Sequence, residues 1–328
     1  MSKPQTQNQS NNDKNNRIKF APGHRTCAGC PAPVITRTVL NAISKPVVVA
    51  NATGCLEVAT TIYPQTSWNV PFIHSAFENA AATISGIETA YRNLIKDKLK
   101  LDKKINFSLN KDLGFLVFGG DGGTYDIGLQ SLSGALERGH DFLYVCYNNQ
   151  GYMNTGGQRS SATPRGARTS TTPSGSASQG KIEWRKNLME IVEAHNIPYL
   201  AQASIFNLVD LTQKVQKAMS FQGPKFIHVL SPCPTVWKFP PRRVKEVTKL
   251  ALDTRFWPIY EIEQGVYRIN YQPKEPKPVE EFLKTQKRFQ HLFKGQEAQK
   301  TVIQTIQSRI DQEWEKLDQK VALTQPAK

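Results

Sequence analysis

Apolar positions along this chain fall in compact runs rather than in single alternation. Mostly apolar stretches at 47–50, 115–118, 142–146, 199–204 and 226–230 each end in a polar or glycine-rich turn. Short apolar runs closed in this way predict buried strands. Between the second and third lies 125–138, where Ile127, Leu129, Leu132 and Leu136 predict a helix packed on a sheet. Strand, helix and parallel strand make a βαβ unit. Helical spacing returns at 184–195 and at 208–219, with Leu211 and Val215 inward, and again from Val244, with Val247, Leu250 and Ala251. Residues 257–269 predict a strand pair turning near Gln264-Gly265, and 273–278 a proline-bounded linker. Two charged, partly amphipathic helices are expected at 282–293 and 302–321. In the second, Ile303, Ile306, Ile310 and Trp314 share one face, which is either core or a docking surface for another subunit.

The fold class expected is α/β, a mostly parallel sheet with helices on both faces. One domain is expected over 21–275, with a C-terminal helical extension over 276–328. Residues 1–20, largely a Gln/Asn/Ser/Lys tract, read as a disordered tail. There is no internal repeat.

Two polar motifs close neighbouring strands of this plan. Gly120-Asp121-Gly122 follows the run at 115–118, and after 25 intervening residues Asn148-Asn149 follows the run at 142–146. Ligands of parallel sheets bind beyond the carboxyl ends of the strands, so both motifs land on one edge. An Asp, an Asn side chain and glycines that admit close backbone approach suit a magnesium diphosphate, since Mg²⁺ shares oxygen ligands with substrate phosphates. The pattern resembles the thiamine diphosphate fingerprint.

Of five cysteines, Cys27 and Cys30 form a C-x-x-C loop, and Cys55 and Cys233 follow the runs at 47–50 and 226–230. These four can converge on the same edge. Cys146 lies inside an apolar run and reads as an inert buried thiol. Disulfides do not suit a chain without a secretory h-region. A structural zinc usually shows two C-x-x-C pairs, and there is one here. A [4Fe–4S] cluster takes four cysteines. Spacing leaves zinc and the cluster both open.

The formal charge of +15 is spread from Lys3 to Lys328, which fits a solvated basic surface or attraction to acidic partners and coenzyme A phosphates. No nucleic-acid motif accompanies it. No apolar run approaches the ~20 residues of a bilayer span, so a cytoplasmic protein without a membrane segment is expected. The stretch 154–180, rich in Ser, Thr and Gly with Arg159, Arg165 and Arg168, reads either as a mobile surface loop or as an active-site cover.

At several points the residues resemble the β subunit of pyruvate:ferredoxin oxidoreductase, within the 2-oxoacid:ferredoxin oxidoreductase family. The segments are Gly23-His-Arg-Thr-Cys-Ala-Gly-Cys30, Asn51-Ala-Thr-Gly-Cys55, His74-Ser-Ala-Phe-Glu-Asn79, Gly119-Gly-Asp-Gly-Gly123, Tyr152-Met-Asn-Thr-Gly-Gly-Gln158 and Leu230-Ser-Pro-Cys-Pro234. The resemblance spans about 23–289. It implies the diphosphate-binding thiamine fold and a cluster held by Cys27, Cys30, Cys55 and Cys233. Asp121, the Asn149 side chain and the Gly151 carbonyl would hold Mg²⁺, and the backbone from Gly120 through Gly122 to Gly123 would cradle the diphosphate. Tyr152 and Asn154 would line the cofactor, with Asn154 the catalytic candidate near the thiazolium. Family members often carry Gly-Glu after the second cysteine, where this chain has Pro31-Ala32.

The activity implied is thiamine-dependent oxidative decarboxylation of pyruvate to acetyl-CoA and CO₂, with one-electron transfers through the [4Fe–4S] cluster to ferredoxin. Oxalate, a branched-chain 2-oxoacid or 2-oxoglutarate are alternative substrates, and a non-redox thiamine enzyme with structural zinc is the alternative class. Thiamine enzymes use a Glu from a pyrimidine-binding domain, and no second α/β domain is evident here. An α subunit is therefore expected to supply it, Glu57 and Glu78 reading as surface or loop residues. Further iron–sulfur subunits, ferredoxin and coenzyme A complete the expected hetero-oligomer. His24 and His74 are candidates for cofactor or substrate contact, and His195 reads as structural.

Overall fold

A computed structural model of the chain describes residues 18–96, 112–175, 178–295 and 297–325. The strands are β1 (Val47–Ala52), β2 (Phe72–Ser75), β3 (Gly114–Gly120), β4 (Leu143–Asn148), β5 (Tyr199–Ser204), β6 (Lys225–Leu230), β7 (Ile259–Glu263) and β8 (Val266–Tyr271). The helices are α1 (Ala32–Ala42), α2 (Cys55–Thr60), α3 (Ala80–Lys96), α4 (Leu129–Glu137), α5 (Leu188–Glu193), α6 (Leu208–Ala218), α7 (Pro234–Trp237), α8 (Val244–Asp253), α9 (Val279–Lys284) and α10 (Glu297–Thr324).

All eight strands form one sheet in the order β2-β1-β3-β4-β6-β5-β7-β8. From β2 to β5 the neighbours are parallel; β7 and β8 extend the sheet antiparallel. The central strands β4, β5 and β6 are buried throughout, as the apolar runs predicted. One face is covered by α3, α4 and α5 through Ile84, Leu132, Leu136 and Val192. The other is covered by α1 and α6 through Ile35, Val39, Leu211 and Val215. The doubly covered, mostly parallel sheet is the architecture expected from the sequence.

Several boundaries differ from expectation. The helix expected from Tyr125 begins as a π-helical turn over Gly122–Asp126, and α4 starts only at Leu129. Ile127, between the two, faces out, 52% exposed. The tail expected over 1–20 lies outside the described residues up to 17, but its last residues are packed. Phe20 is buried and bridges to Trp68, because its ring completes an aromatic cluster with Trp68 and Phe72 beside β1. Over 282–293, α9 is followed by a 3₁₀ segment, Lys287–Phe293, rather than one helix. The apolar face of α10 is core: Ile306, Ile310, Trp314 and Leu317 are buried, against a third cluster with Phe282 and Phe289 and against the α5 side of the sheet. The linker at 273–278 separates β8 from α9 as expected.

Candidate functional site: two joined cavities at the strand ends

The carboxyl ends of β1, β3, β4 and β6 open into two adjoining cavities. One, about 130 Å³, is bordered by Thr53, Gly54, Cys55, Phe77, the 120–123 backbone, Tyr147, Asn149 and the segment from Gly151 to Thr155. The other, about 220 Å³, is bordered by Cys27, Cys30, Cys55 and Cys233 together with Arg25, Val58, Met153 and Asn154. Cys55, Asn149, Met153 and Asn154 border both. Cys27, Cys30, Cys55, Cys233, the 120–123 backbone, Asn149, Gly151, Tyr152 and Asn154 therefore gather on one sheet edge.

The first cavity is lined by glycine backbone and one buried carboxylate. Glycine at 122 is required by space: a Cβ there would stand 2.6 Å from the Tyr152 ring. The π-helical turn that follows leaves backbone N–H groups at its start free for an anionic ligand. Asp121 is fully buried and meets no basic side chain at salt-bridge distance among the described residues. Burial pushes its carboxyl up to about 7, offset in part by hydrogen bonds from Ser160 Oγ and the Asn149 N–H. One terminal atom of the Asn149 amide lies 2.8 Å from Asp121 Oδ1 and 2.9 Å from the Gly151 carbonyl oxygen. Placed as nitrogen, that atom donates to both. Placed as oxygen, it completes a three-oxygen set with the edge of a magnesium octahedron, about 2.9 Å for ligands at roughly 2.0–2.1 Å. A buried carboxylate without a counter-charge fits the same ion.

The second cavity gathers the four cysteines from three places. Cys27 and Cys30 sit in the loop before α1, Cys55 opens α2 and Cys233 precedes α7. Gly29 adopts a left-handed φ of 73°, and a Cβ there would stand 2.8 Å from Pro241, so the loop is pressed against the segment after α7. Burial raises the Cys30 thiol to about 11 and the Cys55 thiol to about 12, with the neighbouring cysteines adding to the shift; Cys233 is raised too. Ala32 is buried at the start of α1 and borders this cavity. Cys146 is buried in β4 away from both, as expected.

The structure adds residues that no motif announced. Ser160 donates to Asp121, and Thr163 Oγ1 donates 2.8 Å to the Gln150 carbonyl. These lie in the Ser/Thr/Gly-rich stretch. Ser160, Ala162, Thr163 and Ala167 are buried, so this part is a structural wall of the site rather than a surface loop. Gln150, at a left-handed φ of 66°, accepts from Arg288. His74 does not border either cavity; its Nε2 pairs with Thr53 Oγ1 at 2.6 Å and its Nδ1 faces Glu57. His24 binds Thr26 and stacks on Phe20. His195 links α5 to Ser133 of α4, a structural role as expected. Among the described residues bordering the first cavity Asp121 is the sole carboxylate, and Glu57 and Glu78 lie elsewhere.

Residues 52–229 match the family described as thiamine pyrophosphate enzyme, C-terminal TPP binding domain, which makes this chain a thiamine diphosphate-binding protein of that class. Pyruvate synthase subunit PorB of Thermotoga maritima is 50% identical over 303 residues, covering 92% of this chain and 91% of that protein. The chain belongs to this family of β subunits of 2-oxoacid:ferredoxin oxidoreductases. Ketoisovalerate oxidoreductase subunit VorB of Pyrococcus abyssi is 41% identical, covering 91% of this chain and 92% of that protein. Among solved structures, a 2-oxoglutarate:ferredoxin oxidoreductase from Magnetococcus marinus matches with a TM-score of 0.54 at 22% identity, over 66% of this chain and 67% of that one, a likeness of fold. Among the described residues no helix is long and apolar enough to cross a membrane.

Proposed function

We propose that the chain is the catalytic β subunit of a pyruvate-oxidising, coenzyme A-acylating enzyme of the cytoplasm, loaded with Mg²⁺–thiamine diphosphate and one [4Fe–4S] cluster. The observation that carries this reading is the pair of cavities sharing Cys55, Asn149, Met153 and Asn154. When bound, thiamine diphosphate supplies the carbanion and electron sink for cleaving a 2-oxoacid, and a cluster accepts the released electrons singly. The chain's own part is to hold and shield. Asp121, the Asn149 side chain and the Gly151 carbonyl would ligate Mg²⁺, and the backbone from Gly120 to Gly123 would bind the diphosphate. Phe77, Tyr152 and Met153 wall the cavity with apolar surface, excluding water. Asn154, on the rim common to both cavities, is suited to orient the substrate by its amide.

Cys27, Cys30, Cys55 and Cys233 would hold the cluster. They border one cavity, and four cysteines are the ligand set of a [4Fe–4S] cluster. A pyrimidine-binding Glu from an α subunit, a further iron–sulfur subunit and ferredoxin complete the proposed machinery, so the lone chain should be inactive. Pyruvate is favoured over a branched-chain acid by the identities of 50% and 41%.

The test is anaerobic production with the partner subunits, followed by iron, sulfide and absorbance near about 400 nm. Cys55→Ser should lose about four irons per chain and keep thiamine diphosphate; Cys146→Ser should keep both. Iron in Cys55→Ser equal to wild type would refute the ligand set. Assays of the assembled enzyme with pyruvate, a branched-chain 2-oxoacid, 2-oxoglutarate and oxalate decide the substrate.

A further inference from the structure

Arg288, in the 3₁₀ segment between α9 and α10, is a buried cation whose partners are all neutral. Its residue is 4% exposed, and its guanidinium stacks 3.8 Å over the Trp237 ring. Nε donates 2.8 Å to Gln286 Oε1, and Nη2 donates to Gln150 Oε1. Among the described residues no carboxylate stands at salt-bridge distance from it. Burying an arginine without a counter-charge is costly, and such cations are ordinarily paired. Burial drives its proton affinity well below the ordinary arginine value, and the acidic groups whose charges act against that shift are Cys233 and Asp121.

Its position shows what a compensating charge would be. Trp237 donates its backbone N–H to the Cys233 carbonyl, 3.0 Å, and its indole N–H to the Asn149 carbonyl, 2.8 Å. Gln150, held by Arg288, stands between Asn149 and Gly151. The guanidinium thus lies one stacked ring from the turn bearing Cys233 and one side chain from the loop that carries Asn149 and Gly151.

We propose that Arg288 is the fixed counter-charge of the thiol-held iron–sulfur cluster and biases that cluster toward its reduced form. A cluster gains a unit of negative charge when it takes an electron, and a nearby cation in a low-dielectric wall stabilises that form. The side chain positions and tunes; it does not touch the substrate. The proposal rests on the reading of Cys27, Cys30, Cys55 and Cys233 as cluster ligands.

The experiment is an EPR-monitored redox titration of the assembled enzyme, the relevant signal being the one missing from Cys55→Ser. Arg288→Met keeps bulk and removes charge; Arg288→Lys keeps charge and removes the planar fork. In Arg288→Met the ratio of reduced to oxidised cluster at fixed potential should fall about tenfold, about 59 mV for a one-electron couple. Arg288→Lys should stay close to wild type. An Arg288→Met enzyme with full iron content and an unchanged ratio overturns the proposal. If Arg288→Met fails to assemble, Arg288→Lys decides: a tenfold fall with iron intact would show that charge is not what matters, whereas a wild-type ratio supports it. A wild-type enzyme with no signal dependent on Cys55 removes the cluster reading itself and Arg288's role with it.

Discussion

Asn148 Nδ2 lies 2.9 Å from Nε2 of His228, a buried pair beneath the diphosphate cavity. The Gln202 amide donates to the Pro258 carbonyl, so its oxygen faces His228 Nδ1, 3.0 Å away; Nδ1 therefore carries the proton and Nε2 accepts. Asn148 Oδ1 in turn accepts the Gln150 N–H, 2.9 Å, and Nδ2 also reaches Tyr125 OH at 3.1 Å. The two asparagines of the motif thus divide the work: Asn148 anchors the loop and Asn149 faces the cavity. Asn148→Leu should leave the Gln150 N–H unpaired and His228 Nε2 with Tyr125 OH, 3.0 Å away, as its remaining partner, costing roughly 1–3 kcal/mol of stability. Thiamine diphosphate affinity should fall with it, because Gln150 sits between two of the proposed magnesium ligands. Calorimetric titration and thermal unfolding check both; unchanged affinity would mean the loop holds itself.

His228 gives the protein a defined acid sensitivity. Burial first, and the Arg185 charge second, push its imidazole down to about 3. The unfolded chain takes up a proton near 6.5 that the folded chain refuses until about pH 3. The stability from this neutral imidazole is complete above pH 6.5 and is lost as pH falls toward 3, at up to about 1.4 kcal/mol per pH unit. His228→Gln can still donate and accept but cannot charge. Urea unfolding between pH 4 and 7, the range in which the wild-type group titrates on unfolding, should show a shallower acid limb for this variant; parallel limbs would rule the imidazole out as the cause.

How far this site was legible in the sequence depended on how local each signal is. Asp121 and Asn149 were readable because each closes an apolar strand, and two parallel strands joined by a helix must present their ends together. The cysteines were readable for the same reason. Ser160, 39 residues from Asp121, and Arg288, 138 residues from Gln150, make their contacts across the fold, where no periodicity or spacing marks them. Strand β2 was missed because it lies at the sheet edge with only Ser75 fully buried, leaving no apolar run to see. The crossing of β5 and β6 in the sheet order is likewise a packing outcome. Ile127 misled because, at 3.6 residues per turn, it stands about 180° from Leu136 and about 140° from Leu132, off the face that Leu132 and Leu136 bury.

Two glycines of the motif are expected to fail differently when given a methyl group. At Gly122 the added Cβ meets the Tyr152 ring, whose edge borders the cavity. Tyr152 can move, and it can move only at the expense of cofactor space and of its bond to Asp126. Gly122→Ala should therefore weaken thiamine diphosphate binding by tenfold or more, roughly 1.4 kcal/mol upward, with little change in unfolding temperature. At Gly119 the Cβ meets Tyr144 OH at 2.3 Å and Thr124 Oγ1 at 2.9 Å inside the core. Overpacking there should cost about 1–3 kcal/mol of stability. Thermal unfolding of both apo proteins separates the cases; an equal drop in each would contradict the assignment.

Lys181 ties the wall of the site together from inside. It is 1% exposed, and its Nζ donates to the carbonyls of Thr163, Ser160 and Ser161 at 2.7, 3.3 and 3.5 Å. Burial lowers its ammonium to about 8, so it remains mostly charged at neutral pH. The turn it holds delivers Ser160 to Asp121 and Thr163 to Gln150. Lys181→Met leaves three buried carbonyls without this donor and should cost roughly 2–4 kcal/mol of stability. Ser160→Ala removes the hydroxyl that donates to Asp121 and accepts the Ala162 N–H, 3.1 Å, so stability should fall by about 1–3 kcal/mol. Both should weaken magnesium–thiamine diphosphate binding, and because they act through one turn their effects on binding should not add. A double variant whose binding loss equals the sum of the single losses would show that Lys181 reaches the cavity by another route than Ser160.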